Sequence, residues 1–150
     1  MSRGYIAIGI YGVKTPENLG TLWRSADLLG ASLIFTVGAR YSTQATDTSK
    51  ARQSIPLVHF DSLEQMRKAK DPNVPLIAVE LDENSHSLVN FVHPNSAWYL
   101  LGAEDTGLPK KALEFSNQII QIPAVKDFSF NVATAGSIIL YDRFVKAASK

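Results

Sequence analysis

The sequence contains no cysteine among its 150 residues. Disulfide bonds, thiolate nucleophiles and cysteine metal sites are therefore excluded. Long apolar runs are also absent, and none approaches the roughly 20 residues that a membrane helix needs. The N-terminal stretch has only a short apolar run before Lys14 and Pro16 and lacks the pattern of a secretory signal. We therefore expect a cytoplasmic protein without a membrane segment.

An excess of charge of one sign is missing as well. The formal net charge is +1, which is too small to indicate nucleic-acid binding by itself. Two stretches are locally basic, and either could contact phosphates or simply be solvated. The first carries Arg40, Lys50 and Arg52 against Asp47, and the second carries Arg143, Lys146 and Lys150 against Asp142. Hydrophobic residues make up 45% and charged residues 19%, which is typical of a folded chain and predicts one domain over residues 1–150.

Apolar segments that fit strands alternate with segments that fit helices. The predicted strands are Tyr5–Tyr11, Ser32–Val37, Pro56–His59, Pro75–Leu81, Ala97–Leu101 and Gln118–Ile122. The predicted helices are Asn18–Leu29, a short one capped by Asp61 or Ser62 that ends near Lys70, one that starts at Pro109, and one from about Asn131 to Lys146. Residues 39–54 are predicted to form a loop. This alternation predicts an α/β fold with a mostly parallel sheet and helices on both faces.

Three of the predicted strands end in polar or glycine-rich segments. Pro75–Leu81 runs into Asp-Glu-Asn, Ala97–Leu101 runs into the segment from Gly102 to Gly107, and Gln118–Ile122 continues into residues 123–128. Ligands of open α/β sheets bind at the carboxyl ends of the strands, so these three loops form one pocket if their strands are neighbours. The two glycines permit a close backbone approach to a ligand, although a plain strand-to-helix turn explains them equally well.

The motifs of several common enzyme classes are missing. Gly102 and Gly107 have the spacing of a P-loop, but Leu108 and Pro109 stand where that loop requires lysine and serine or threonine. No G-x-G-x-x-G follows the first strand, and no serine lies in a G-x-S-x-G elbow. The three histidines lack the spacing of metal ligands, so we expect no metal site. Trp23 and Trp98 are expected in the core.

Two helix starts carry polar residues with more than one interpretation. Arg24 lies off the apolar stripe of its helix, where it can pair with Asp27 or bind a phosphate or an oxyanion. Asn18 can cap the same helix. Ser129 or Asn131 can cap the last helix, whose first turns consist mostly of small side chains. Those small residues fit either tight helix packing or close contact with a ligand or a crossing chain.

Three segments, taken together, resemble a known family. Residues 18–26 (NLGTLWRSA) match an N-x-G-x-x-x-R helix start, and residues 100–109 (LLGAEDTGLP) match a strand followed by G-x-E-x-x-G-L. Residues 122–123 (IP) with 129–133 (SFNVA) match a third motif, with Phe130 where leucine or methionine is common. The order and spacing are those of the SpoU (TrmH-like) branch of the SPOUT RNA methyltransferases, over nearly the whole chain.

The resemblance implies a fold and a set of ligands. It implies a parallel α/β sheet whose C-terminal segment is tucked into a deep trefoil knot, and a homodimer with its active site near the interface. It also implies S-adenosyl-L-methionine as cofactor, bound by the loops of the knot. The cofactor contacts that it predicts are Val79, Glu80, Leu81, Gly102, Ile122, Ser129, Phe130 and Asn131.

The reaction implied by the resemblance is methylation of an RNA ribose 2′-hydroxyl, with tRNA favoured over rRNA. Arg24 is predicted to bind the target phosphate and stabilise the developing alkoxide, because an arginine stays protonated in proteins. Asn18, Ser129 and Asn131 are predicted to orient the ribose and Arg24. Glu104 is predicted to brace its loop rather than to act as a base. The alternatives are a non-catalytic module that binds RNA or S-adenosylmethionine, and a small-molecule methyltransferase.

Overall fold

A computed structural model describes residues 4–38, 54–103 and 107–149 of the chain. Within these ranges, parallel strands form one seven-stranded sheet. The strands are β1 (Ile6–Tyr11), β2 (Leu33–Val37), β3 (Leu57–Phe60), β4 (Leu76–Val79), β5 (His86–Ser87), β6 (Ala97–Gly102) and β7 (Gln118–Gln121). Their order across the sheet is β3-β2-β1-β6-β4-β7-β5. The predicted parallel sheet is confirmed, and the two-residue strand β5 was not predicted.

The described helices cover both faces of the sheet. They are α1 (Pro16–Leu28), α2 (Leu63–Ala69), α3 (Lys110–Phe115) and α4 (Val132–Ala148), with a single 3-10 turn at Leu88–Asn90. Side chains of β1 alternate between two apolar clusters, because successive strand residues point to opposite faces. Ile8 packs in the cluster with α1 and α4, and Ala7 packs in the cluster with α2 and α3. Both tryptophans are buried, as predicted.

Helix α1 begins two residues earlier than predicted. Pro16 occupies its first position, where a fixed φ and a missing N–H have little cost. Asn18 therefore lies inside the first turn, and the prediction that it caps the helix is wrong. Gly30 follows the end of the helix with φ +85°, as a helix stop requires. The predicted caps of two other helices are confirmed. Ser62 caps α2, and the Asn131 side chain accepts hydrogen bonds from two amides of α4.

Helices α1 and α4 lie in close contact. The Ser137 hydroxyl donates to Ser25 Oγ at 2.7 Å across the two helices. Gly136 faces Leu22, and a Cβ at Gly136 would overlap that leucine side chain. The small residues that open α4 therefore let the two helices approach. This contact places the first and third motifs side by side, although more than 100 positions separate them in the sequence.

A buried polar network ties α4 to the segment before β6. His93 Nδ1 lies 2.7 Å from Tyr99 Oη, and His93 Nε2 lies 2.7 Å from Asp142 Oδ2. Lys146 pairs with the same carboxylate at 2.9 Å and donates to the carbonyl oxygens of Leu88 and Phe91. Burial raises the pKa of Tyr99, so the phenol stays protonated. Burial also lowers the pKa of His93, although the hydrogen bond to Asp142 opposes that shift.

The His93 network predicts a loss of stability in mild acid. Because the pKa of His93 is lower in the folded chain than in the unfolded one, protonation favours unfolding. The stabilisation by neutral His93 is present above about pH 6.5 and declines as the pH falls below that value. We expect urea unfolding to show a smaller drop in stability between about pH 7 and 5.5 for His93→Gln than for the wild type. A His86→Gln control at an exposed histidine should keep the wild-type drop. Equal pH dependence in His93→Gln and the wild type would contradict this assignment.

Two predicted features lie outside the described residues. The first is the basic stretch at residues 40–52, with the loop predicted around it. The second is Glu104. Within the described ranges, no helix is long and apolar enough to cross a membrane.

Candidate active site

A cleft of about 410 Å³ opens at the carboxyl ends of β6, β4 and β7. These strands lie side by side, with Val79 of β4 paired to Leu101 on one side and to Ile120 on the other. The condition under which the three loops form one pocket is therefore met. The cleft is lined by Val79, Glu80, Leu81, Asp82, Leu101, Gly102, Ala103, Gly107, Leu108, Leu113, Gln121, Ile122, Phe128, Ser129, Phe130, Val132 and Ala135.

Glu80 fixes the loop that follows β6. Its Oε2 accepts a hydrogen bond from the Leu108 amide at 2.6 Å, and its Oε1 accepts one from the Leu81 amide at 3.2 Å. Gly107 has φ +67° and lies against this carboxylate, where a side chain would be both strained and crowded. The carboxylate of Glu80 thus holds two walls of the cleft together across β4 and β6.

Gly102 leaves no room for a side chain at the turn after β6. A Cβ at this position would lie 2.6 Å from the Leu108 amide nitrogen and 2.7 Å from the Gly107 carbonyl oxygen. Both neighbours are backbone atoms, which cannot move aside as a flexible side chain can. The glycine is therefore required for the backbone of Gly107 and Leu108 to lie against the end of β6.

The cleft has the character of a site for a nucleoside-like molecule. Its volume lies in the range of small-molecule pockets, and its walls combine apolar side chains with loop backbone. Leu101, Ile122 and Val132 provide apolar surface for a ring system. Glu80 and Asp82 are the charged residues among the described lining, which suits a ligand with a positively charged group. The residues present therefore fit an adenosyl cofactor with an ammonium or sulfonium charge.

A smaller cavity of about 150 Å³ adjoins the cleft beside the start of α1. It is lined by Ile10, Val13, Lys14, Thr15, Asn18, Ala103 and Val132, and the last two of these also line the cleft. Near this boundary, Asn131 Nδ2 donates to Asn18 Oδ1 at 2.9 Å. The first and third motifs thus meet through an asparagine pair next to the cleft.

The predicted site residues that the structure describes fall into three groups. Seven predicted cofactor contacts line the cleft, namely Val79, Glu80, Leu81, Gly102, Ile122, Ser129 and Phe130. Asn131 does not line it, but caps α4 and binds Asn18 at its edge. Arg24 is exposed and lines neither cavity. Asp27, the possible ion-pair partner of Arg24, accepts hydrogen bonds from the amide and the hydroxyl of Ser54.

Several residues of the site were not predicted from the sequence. Leu108, Leu113 and Phe128 line the cleft, and Phe128 is 79% exposed. Leu108 could have been predicted, because it belongs to the second motif and follows Gly107 directly. Phe128 and Leu113 carry no local signal. Phe128 reaches the cleft through the return of the chain after β7, and Leu113 reaches it because α3 packs against the sheet. No group of three His, Asp or Glu side chains that could hold a metal occurs in the described ranges.

The fold and the cleft define a class of α/β proteins that bind a small ligand where three parallel strands end. Comparison with known sequences makes the assignment specific. The profile of the SpoU rRNA Methylase family matches residues 5–141, and the chain belongs to this family.

Individual relatives agree with the family assignment. The chain is 30% identical over 138 residues to the 23S rRNA (guanosine-2'-O-)-methyltransferase RlmB of Salmonella typhi, over 87% of this chain and 56% of that protein. Among solved structures, it resembles an AdoMet-bound rRNA methyltransferase from Sinorhizobium meliloti (TM-score 0.83, 27% identity, 96% of this chain and 57% of that one). It shares its fold with a structure described for the 2-OH methylation of C/U34 on tRNA (TM-score 0.86, 19% identity, 99% of both chains). The chain thus spans little more than half the length of the curated relatives that it matches.

Proposed function

We propose that this chain transfers a methyl group from S-adenosylmethionine to the 2′-hydroxyl of an RNA ribose. The observation that carries the proposal is the convergence of the three motifs. Two of them line one cleft, and the Asn18–Asn131 pair brings the first motif to its edge. The S. meliloti relative, 27% identical, binds AdoMet in its crystal structure, and the RlmB relatives are named for 2'-O-methylation of 23S rRNA.

The cofactor supplies an electrophilic methyl group on a positively charged sulfur. Leu101, Ile122 and Val132 would hold its adenosyl part, and the carboxylates of Glu80 and Asp82 would face its charged groups. The cleft walls would exclude water from the reacting atoms, which strengthens every electrostatic interaction there.

The ribose hydroxyl must be oriented and its developing charge stabilised. Asn18 lines the smaller cavity and is bonded to Asn131, so the pair is proposed to position the ribose at the boundary of the two cavities. Ser129 lines the cleft and is proposed to orient the same hydroxyl. Glu104 follows Ala103 in the chain and is proposed to brace this loop. Positioning of this kind can account for a large part of a rate enhancement.

Arg24 is proposed to bind the target phosphate and stabilise the alkoxide from the partner subunit of a homodimer. Its side chain is exposed on α1 and lines neither cavity of its own subunit. Leu28, one turn further along the same face, is 75% exposed. An arginine beside an exposed leucine suits a surface that is covered by a second subunit. In such a dimer, Arg24 would face the cleft of the partner subunit.

The outer face of α4 supports the homodimer. Tyr141 is 58% exposed and Phe144 is 52% exposed, and Val145 extends the same apolar surface. The opposite face of α4 packs against the rest of the chain. Exposure of these aromatic rings to water is unfavourable, and contact with a further apolar surface would remove it. We propose that this face, with Leu28 of the adjacent α1, forms the interface between two copies of the chain.

The dimer proposal predicts the effect of Phe144→Asp. A carboxylate in an apolar interface costs several kcal/mol, so the variant should sediment as a monomer and lose methyl transfer along with the dimer. Sedimentation velocity measures the mass, and circular dichroism verifies the fold. The matched control, Val58→Asp on the edge strand β3, should remain dimeric. A monomeric wild type, or a dimeric and fully active Phe144→Asp variant, would contradict the proposal.

The C-terminal segment is further proposed to form a deep trefoil knot. After β7 the chain returns through residues 122–130 along the cleft and then enters α4, which packs against α1. The glycine and alanines at the start of α4 suit such a tight passage.

The proposal includes a single domain and a cytoplasmic location, where tRNA and ribosomes are found.

The proposed RNA is tRNA, and the RlmB relatives make rRNA the alternative. The test incubates the protein with tritiated S-adenosylmethionine and, separately, tRNA and rRNA from cells that lack its gene. Label in tRNA alone supports the full proposal, and label in rRNA alone corrects the substrate. Cofactor binding without label in either RNA would leave the chain as a binding module.

A further inference from the structure

The smaller cavity carries a lysine that has no part in the reaction as proposed. Lys14 lies in the turn between β1 and α1 and lines this cavity together with Thr15 and Asn18. Its side chain is exposed, so it lies at the rim rather than in the interior. The opposite walls come from the buried side chains of Ile10, Val13 and Val132. The cavity thus has an apolar interior and a cationic rim.

The position of this cavity relates it directly to the cleft. Ala103 and Val132 line both spaces, so the two cavities lie side by side. The Asn18–Asn131 hydrogen bond lies at the same boundary. A group that accepts a methyl from a cofactor in the cleft would therefore occupy the smaller cavity.

The charges of the two spaces differ in sign. Among the described residues that line them, the cleft has the carboxylates of Glu80 and Asp82, and the smaller cavity has Lys14 as its only charged group. An RNA strand carries one negative charge per phosphate, which the carboxylates repel and a lysine attracts. Among the described residues that line the two cavities, Lys14 is therefore the group that can attract a phosphate of the accepting RNA.

We propose that Lys14 is a positioning residue that binds the backbone phosphate next to the accepting ribose. The sugar and its base would contact the apolar wall formed by Ile10, Val13 and Val132. A lysine suits this role because its ammonium is a compact charge with three donors on a flexible stem, which tolerates the varied geometry of a single strand. The inference rests on the proposed function and adds a phosphate contact from the same subunit as the cleft.

The test compares Lys14→Gln with Lys14→Arg and with a control, Lys68→Gln, at an exposed lysine on α2 that lines neither cavity. The substrate is whichever RNA pool the wild type methylates. We expect kcat/KM for RNA to fall roughly 10- to 100-fold in Lys14→Gln, mainly through KM, as for loss of a charged hydrogen bond. Affinity for S-adenosylmethionine should stay within about twofold of wild type, and Lys14→Arg should restore most of the loss because it keeps the charge.

A salt series adds a readout that a merely structural role would not change. Loss of one phosphate contact should reduce the slope of log affinity for RNA against log salt by about 0.7 to 0.9 between 50 and 200 mM. Lys68→Gln should keep both the wild-type slope and the wild-type kcat/KM.

The outcomes separate this inference from the proposed function. An active wild type with Lys14→Gln indistinguishable from Lys68→Gln would overturn the role of Lys14 and leave the proposed function intact. So would a Lys14→Gln variant that loses cofactor affinity as much as RNA affinity. A wild type that labels neither RNA contradicts the proposed function and, with it, this inference.

Discussion

Replacing Arg24 with alanine is expected to reduce methyl transfer by about 100- to 1,000-fold, the usual cost of removing one preorganised donor from a developing oxyanion. Affinity for S-adenosylmethionine should be unchanged, because Arg24 lines neither cavity and is exposed on α1. Single-turnover methyl transfer and isothermal titration with the cofactor measure the two quantities separately.

The matched control for this variant is Arg67→Ala. Arg67 is an exposed arginine on α2 whose guanidinium lies 4.4 Å from the centre of the Phe115 ring, away from both cavities. It should retain wild-type turnover. Wild-type turnover in Arg24→Ala would remove Arg24 from the reaction.

The second large effect is expected from Gly102→Ala. The new methyl group would overlap the backbone of Gly107 and Leu108, so the backbone at these two residues of the cleft wall has to move. Overpacking of this kind costs about 1–3 kcal/mol, which corresponds to roughly 5- to 150-fold weaker cofactor binding and an equal loss of transfer. Isothermal titration with S-adenosylmethionine tests this directly.

Gly30→Ala is the control for a glycine that is needed for its conformation alone. Gly30 has φ +85°, but a Cβ there would meet no atom within 4 Å. We expect it to lower the free energy of unfolding by about 1 kcal/mol without changing cofactor affinity. Equal cofactor affinity in Gly102→Ala and the wild type would contradict the placement of the cofactor in this cleft.

The two variants together test whether Arg24 acts across the interface. In a mixed dimer, one subunit carries Arg24→Ala with an intact cleft, and the other carries Gly102→Ala with an intact arginine. If Arg24 serves the partner's cleft, this dimer regains one working site and about half of the wild-type activity per dimer. A mixed dimer as inactive as its parents would place Arg24 in its own subunit's site.

The sequence predicted the parts of the fold that local patterns determine. Apolar runs with turn residues at their ends located β1, β2, β4, β6 and β7 to within one or two residues, and the Ser62 cap and both buried tryptophans were also correct. The similar ends of β6, β4 and β7 indicated a shared pocket only on the condition that these strands are neighbours, and the strand order meets that condition. Errors occurred where a nearby residue competes for the same position, as Pro16 does with Asn18 at the start of α1.

The remainder depends on contacts between residues far apart in the chain. The Asn18–Asn131 hydrogen bond, the brace from Glu80 to the Leu108 amide, and the cavity beside Lys14 exist only after α4 packs on α1 and the strands align. No periodicity or spacing marks such contacts. The strand β5 is only two residues long, which is too short for any alternating pattern to identify.

The most direct test of the account is the position of the transferred methyl group. RNA labelled by the protein with tritiated S-adenosylmethionine is digested to nucleosides, and the labelled nucleoside is identified by chromatography against standards. We expect label in a 2′-O-methylribonucleoside, whose adjacent phosphodiester resists alkali. Label on a base, or no transfer from a protein that binds the cofactor, would contradict it.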